Sequence, residues 1–453
     1  MSDLDTSPAR LWRKICWRIL PVVSIAWLCS AVDRGSLGYV AVPLAAELGL
    51  SATNIGFAAG LVFVGYFVVP VPGNLIEYRI GARTWITGIL IAWSLVTAAT
   101  AAVDSAATLY LARIGLGFAE GGIGSAILLY LTFWLPRSQQ SRALSYFFLT
   151  LPASGIIGAL MAGFLLSHDG LVFGLAGWRS VFLTEGILSL LVAALVWFTL
   201  ASKPQDASWL TRREREALRA ELDRDAAAAQ APTATSARVP LTDRSVWGLA
   251  FASFAISFGV SALAFFLPKM ITVVQHGLHN SQAVLITSIP QAIAAVVMVG
   301  WARLARRRSP VVTTIIPAAV AAAAIPVAAY APNGVIFVAA VCAVLAGSYS
   351  ALPQFWRLPS LWLSGPAAAG GIALIQSGTN LSAFVGPYVT GYAEDLTGSF
   401  RDALLATAMI MLLGVVAIAL TGRPALRSRP VRTGPRLAIP PAKPARPATG
   451  GGR

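Results

Sequence analysis

Apolar runs of about 20 residues or longer follow one another along nearly the whole chain, separated by short breaks rich in Arg, Lys, Pro or Gly. A run of that length matches an α-helix crossing a hydrocarbon core of about 30 Å. In that solvent every backbone N–H and C=O must be paired within the protein, which leaves helices and closed barrels as spanning structures. The runs are too long and too continuously apolar for the alternating strands of a barrel. With 57% hydrophobic and only 12% charged residues, the chain also lies outside the composition of soluble domains. The expectation is an all-α integral membrane protein of about twelve transmembrane helices.

The runs divide the chain into a cytoplasmic N-terminal segment over 1–16, a six-helix bundle over 17–201, a polar linker over 202–244, a second six-helix bundle over 245–421 and a disordered tail over 422–453. In the linker, Thr211 followed by Glu214 has the spacing of a capping box, and TRREREALRAELDRD places opposite charges at helical spacing, so a short surface helix is expected. The net charge of +15 could point to nucleic acid, but the cations fall in short connections between spans. Arg10, Arg13, Lys14, Arg18, Arg79, Arg83, Arg137 and Arg142 gather on one side, which the positive-inside rule makes the cytoplasm, so both termini are expected there. No nucleic-acid partner is expected; the partners are the lipid bilayer and a small solute. Cys16, Cys29 and Cys342 have neither disulfide nor zinc spacing, and no metal site is expected.

Charges inside the apolar runs narrow the function. In the fourth run, RIGLGFAEGGIGSAILLYLTFWLPRSQQSR, Arg113 and Glu120 stand seven residues apart, nearly two turns, on one helix face. A charge near the bilayer centre costs about 2.5–3.5 kcal/mol on insertion scales, so retained ones face a polar cavity or a partner. The glycines between and after them let neighbouring helices approach closely. Asp33 and Arg34 sit at similar depth in the first run, which makes an Asp33–Arg113 ion pair reasonable. Arg34 offers the planar fork of donors that grips a carboxylate. Glu120 lies deeper, where a bare anion is disfavoured, as a proton carrier requires. NLIEYRIGAR and VGWARLARRR, and again YLTFWLP and LPQFWRLP, repeat at offsets of about 224 and 222, which favours duplicated halves with a site between them.

These segments carry a resemblance. Asp33-Arg34, NLIEYRIGAR, RIGLGFAEGG, FWLPRSQQSRA, PQFWRLP and GTNLSAFVGPYVTGYAEDLTGSF, in this order, resemble the major facilitator superfamily, and within it the anion:cation symporters that include phthalate, tartrate, hexuronate and galactonate transporters. The resemblance spans roughly residues 15–420 and implies the major facilitator fold. It also implies that Asn380 contacts substrate polar groups. The chain departs from the pattern at Asn74 and Tyr78, where the superfamily has Gly and Asp, at Ser36, where the family has Asn, and at Lys269, where it has Gln. PASGIIGALMAG lacks the Gly-Pro pair of antiporters and leans toward uptake.

The resulting expectation is a secondary transporter, not an enzyme, that takes up a small organic carboxylate with protons in a bacterial inner membrane, as a monomer by alternating access. Protons are the coupling ion and no cofactor is expected. Arg34, Asn380, Tyr39 and Gln376 are the candidate substrate contacts, although Tyr39 and Gln376 could equally join helices. Asp33 and Glu120 are the proton carriers. Arg113 partners Asp33, and Arg79, Arg83 and Arg142 are the cations of the cytoplasmic gate. Glu185, mid-span in the sixth run, is given a structural role. The rival readings are an exporter or antiporter of an organic compound and a receptor that binds an organic acid without moving it.

Overall fold

In a computed structural model of the chain, residues 8–229, 244–306, 308–359 and 366–427 are described, with side chains for all of these except 8–9, 71, 137–148, 225–229, 366–369 and 422–427. The described residues form α1 (Pro8–Leu48), α2 (Ala52–Val68), α3 (Pro70–Ile80), α4 (Ala82–Thr100), α5 (Ala106–Glu120), α6 (Ile123–Thr132), α7 (Arg137–Leu166), α8 (Gly177–Thr199) and α9 (Arg212–Ala229). After these come α10 (Arg244–Val274), α11 (Asn280–Ile286), α12 (Ser288–Ala305), α13 (Pro310–Ala329), α14 (Gly334–Phe355), α15 (Pro366–Thr397) and α16 (Arg401–Arg427). A disordered tail is expected from 422, but α16 carries on to Arg427, and residues 428–453 lie outside the described residues.

Ten helices or joined pairs among the described residues are long and apolar enough to cross a membrane, and α2 with α3, bent by 58°, adds an eleventh if counted as one span. The difference from about twelve falls at α15. Its 32 residues suffice in length, but Gln376, Ser377, Thr379, Asn380 and Ser382 dilute its apolar character. Three expected spans are broken, the third at Thr287 between α11 and α12, and two of the breaks have local reasons. Pro70 starts a new helix after α2, and Gly121-Gly122 separates α5 from α6.

Helices α1, α2 and α4 to α8 pack on one another, as do α10 to α16, and the two groups meet through α2 on α15, α1 on α10, and α7 on α11 and α12. Glycine makes these meetings close. A Cβ on Gly38 would lie 2.6 Å from the Phe265 carbonyl oxygen, and one on Gly56 2.3 Å from that of Pro387. One on Gly391 would lie 2.3 Å from the Ala52 carbonyl oxygen. All three contacts sit toward the end of the bundle opposite the one where α1 and α10 begin. At that far end Asp395 of α15 accepts from the first backbone N–H groups of α2, at 3.1 Å from Ala52 and 2.8 Å from Thr53, and from the Thr53 hydroxyl. Orphan donors of one half's helix are thus satisfied by a carboxylate of the other.

The described part of the linker packs on the first half. Trp209 stacks on Trp134 with ring centroids 5.6 Å apart, and the Arg18 guanidinium lies 5.6 Å from the Trp209 ring. Leu210 and Leu218 are buried with the core of α1, α4 and α8. The two capping-box bonds form, from the Glu214 N–H to the Thr211 hydroxyl at 3.2 Å and from the Thr211 N–H to the Glu214 carboxylate at 2.8 Å. Lys14 reaches Glu214 at 2.8 Å. Burial alone would push the Glu214 carboxyl up, but the bonds from Lys14 and Thr211 outweigh it and hold the group below its ordinary 4.5. A depressed value means that the contact contributes fully above about 4.5 and is lost as pH falls through the folded-state value. Acidification through that window is expected to speed limited proteolysis of α9. The change is small, about 1 kcal/mol or less for a pair with an exposed partner, and Glu214→Gln should show the faster cleavage already at neutral pH.

Candidate functional site

The long helix α1 sends neighbouring charges to different places. Side chains of adjacent helical residues diverge by about 100°, so Asp33 and Arg34 cannot share one partner face. Ser30, one turn before Arg34, shares its side, and Ser36 follows Asp33. Two polar clusters form inside the first half.

The first gathers Ser30, Arg34, Tyr66 of α2 and Glu120 at the end of α5. Arg34 Nε lies 4.0 Å from Glu120 Oε1, and its Nη1 donates to the Tyr66 hydroxyl at 3.4 Å. The Ser30 hydroxyl donates to Glu120. The guanidinium sits 5.6 Å from the centroids of both the Trp27 and Tyr66 rings, within reach of cation–π attraction. Glycine allows this. Trp27 occupies the space a Cβ on Gly124 would take, 2.6 Å away. Glu120 is wholly buried, whereas the Arg34 side chain keeps 22% exposure. Of the two charged members of the cluster, Arg34 is therefore the one that keeps exposed surface.

The second cluster gathers Asp33, Ser36, Thr97 of α4, Arg113 of α5 and Glu185 of α8, all buried. The Thr97 hydroxyl donates to Asp33 Oδ1 at 3.1 Å. Asp33 Oδ2, Glu185 Oε2, and Nε and Nη2 of Arg113 have no hydrogen-bond partner. The Arg113 guanidinium is 5.4 Å from the Phe182 ring. Asp33 and Arg113 lie within electrostatic reach of each other, yet no N–O contact between them falls within 4.0 Å. The acid nearest a guanidinium in the two clusters is instead Glu120, beside Arg34.

The remaining candidates spread out. Tyr39 donates to the Gly155 carbonyl at 3.1 Å and joins α1 to α7. Gln376 and Asn380 lie one turn apart on α15, with the Gln376 amide donating to Asn380 Oδ1 at 3.4 Å. Arg79 is exposed near the end of α3. Arg83 lies 4.3 Å from the Trp197 ring, and its backbone N–H donates to Ser202 at 3.2 Å, so it serves the linker contact. The side chain of Arg142 is outside the described residues. Tyr66, Ser30, Trp27 and Thr97 were not singled out by sequence. Trp27 and Ser30 are signalled by their places seven and four residues before Arg34, on its face.

The family model of the Major Facilitator Superfamily matches residues 23–361. A protein of Agrobacterium vitis named "Putative tartrate transporter" is 35% identical over 433 residues, covering 95% of each chain. A quinolone resistance transporter of Acinetobacter baumannii is 30% identical over 405 residues, 89% of this chain and 93% of its own. Among solved structures, a bacterial homolog to the human lysosomal transporter Spinster superposes with a TM-score of 0.73 over 94% of this chain and 99% of that one, at 17% identity. That likeness shows the fold. Together with the family match over most of the chain, it makes this a multi-pass membrane transporter and not an enzyme. The chain belongs to the Major Facilitator Superfamily.

Proposed function

We propose that this chain is a proton-coupled importer of a small organic carboxylate in the inner membrane of a bacterium, with both termini cytoplasmic, acting as a monomer and needing no cofactor beyond the proton. The observation that carries this reading is Arg34, partly exposed and forked, held by the wholly buried acid Glu120. An ionised Glu120 competes with an incoming anion for Arg34. Protonation neutralises Glu120, frees the guanidinium and lets it take the substrate carboxylate bidentately. Proton and anion then bind together, which is the linkage a symporter needs. Asn380 and Gln376 supply hydrogen bonds from the facing half, and Asp33 beside Arg113 is the second proton carrier. The reading also suits the membrane field. Moving one charge against 100 mV costs about 2.3 kcal/mol, and more than one accompanying proton per monoanion reverses the sign, so that the membrane potential itself favours uptake.

The tartrate name of the 35% identical relative makes hydroxy dicarboxylates the first substrates to try. In proteoliposomes, an imposed proton gradient is expected to accumulate one acid of a panel. Glu120→Gln, fixed in the neutral state, should still exchange that acid but lose the gradient-driven accumulation, leaving simple equilibration. If the acids bind and none moves under any gradient, the receptor reading replaces this one. Outward movement of a quinolone or other drug, with no acid transported, would favour export.

A further inference from the structure

The described mid-membrane charges of the first half do not balance. Asp33, Glu120 and Glu185 are opposed by Arg34 and Arg113, and the five are linked electrostatically, Arg113 reaching Asp33, Glu185 and Glu120, and Arg34 reaching Asp33 and Glu120. Fully ionised, they would leave one surplus negative charge in the membrane interior, where an uncompensated charge is costly. One carboxyl must therefore hold a proton.

Hydrogen bonding indicates which. The Ser36 Oγ lies 3.0 Å from the Val32 carbonyl oxygen and also against Glu185 Oε1. A serine hydroxyl has one proton to give. If it donates to Val32, as Ser commonly does one turn back in a helix, the contact with Glu185 is satisfied only when the Glu185 carboxyl is the donor. Asp33 and Glu120 face no such conflict, since the hydroxyls of Thr97 and Ser30 each have a carboxylate oxygen to donate to.

The surroundings of Glu185 agree. Gly186 brings α8 so close to α4 that a Cβ there would lie 2.8 Å from the Ser94 carbonyl oxygen, which sets Glu185 in the interior beside Asp33. The groups that face it are Asp33, Ser36, Tyr39 and Cys29 of α1 and Arg113 of α5. From α4 come only hydroxyls, Ser94 and Thr97, and α7 has no ionisable residue over 149–166. Among the described residues that face Glu185, Arg113 is the cation, and Asp33 shares it.

We propose that Glu185 holds the surplus proton of this buried set and is a positioning residue for coupling, exchanging that proton with Asp33 across Arg113. In the exchange the Glu185 O–H bond breaks and an Asp33 O–H bond forms, so the local charge is unchanged while Arg113 turns from one carboxylate to the other. The role in coupling rests on the proton-coupled reading above; the proton on Glu185 does not.

The test is infrared spectroscopy of the purified, reconstituted protein at neutral pH, read in the carbonyl-stretch region of protonated carboxylic acids. The unsubstituted chain is expected to show a component that Glu185→Asp shifts in frequency, whereas Asp33→Glu and Glu120→Asp, which likewise keep the number of carboxyls, leave it unmoved. Size-exclusion behaviour checks folding. A spectrum with no component that Glu185→Asp moves, or one that Asp33→Glu or Glu120→Asp moves instead, overturns the assignment. No substrate is needed, so a failure of the transport reading would leave this result standing. Proteoliposome uptake then addresses coupling: Glu185→Gln is expected to flatten the pH dependence of transport with substrate KM changed less than about threefold, whereas an unchanged pH profile would remove Glu185 from coupling.

Discussion

Arg34→Ala is expected to abolish substrate binding and with it all accumulation. Two charge-assisted bonds from the guanidinium to a carboxylate contribute about 1.5–3 kcal/mol each, and every 1.4 kcal/mol is about tenfold in affinity. Loss of both weakens binding by at least about a hundredfold. The same change strands Glu120, which is wholly buried and has Arg34 as its ion-pair partner at 4.0 Å. Leaving a buried charge without its partner costs about 3–5 kcal/mol, or forces the acid to stay protonated. Arg34→Lys separates the effects. It restores a positive charge to Glu120 but not the fork, so stability should return while affinity stays well below that of Arg34. Equilibrium binding of the transported acid, with thermal unfolding alongside, reads both. Undiminished affinity in a folded Arg34→Ala chain would place the substrate carboxylate elsewhere.

Gly117→Ala is expected to destabilise the first half severely, as is Gly65→Ala on the facing helix. A Cβ on Gly117 would stand 2.2 Å from the Val62 carbonyl oxygen, and a Cβ on the facing Gly65 would stand 2.0 Å from the Gly117 carbonyl carbon. The obstruction is backbone on both sides, so no side chain can swing away. Overpacking of cores typically costs about 1–3 kcal/mol, and rigid neighbours put this case at or above the upper end. The expected readout is a large fall in melting temperature or loss of monodisperse protein. Gly88→Ala and Gly300→Ala, where nothing lies within 4 Å of the added methyl, should be tolerated. Because α5 presses on α2 here, its displacement would also draw Glu120 away from Tyr66 and Arg34.

The charged residues of the site were legible because an ion in an apolar run is rare enough to stand out. Their partners were not. Counting along the axis gave Asp33 and Arg113 similar depths, but depth says nothing of azimuth, and the separation that decides an ion pair depends on how α1, α5 and α8 are rotated about one another. Glu185 suffered most from this: it stands apart from the Arg179 of its own run and was given only a structural role, while the fold sets it beside Ser36 and Asp33. Arg179 instead reaches Glu47 at 2.7 Å. The linker helix could be read from Thr211 and Glu214, since a capping box is local, whereas its docking depended on Trp134 and Trp209, 75 residues apart in the sequence and in contact only after folding. Asp395 stands in the GYAEDLTG stretch of α15, but no local pattern could reveal that it caps a helix begun more than 340 residues earlier.

That cap bears on how the two faces of the membrane would see the same binding site. Alternating access requires the far end to open, and opening must pull the start of α2 away from Asp395. A solute arriving from that side meets only the fraction of molecules in which the cap has been released, and its apparent dissociation constant there is the intrinsic one divided by that fraction. A solute arriving from the other side carries no such penalty. Affinity measured from opposite faces would then differ without any difference in the residues touched, and the asymmetry would be set by a carboxylate that never meets the substrate.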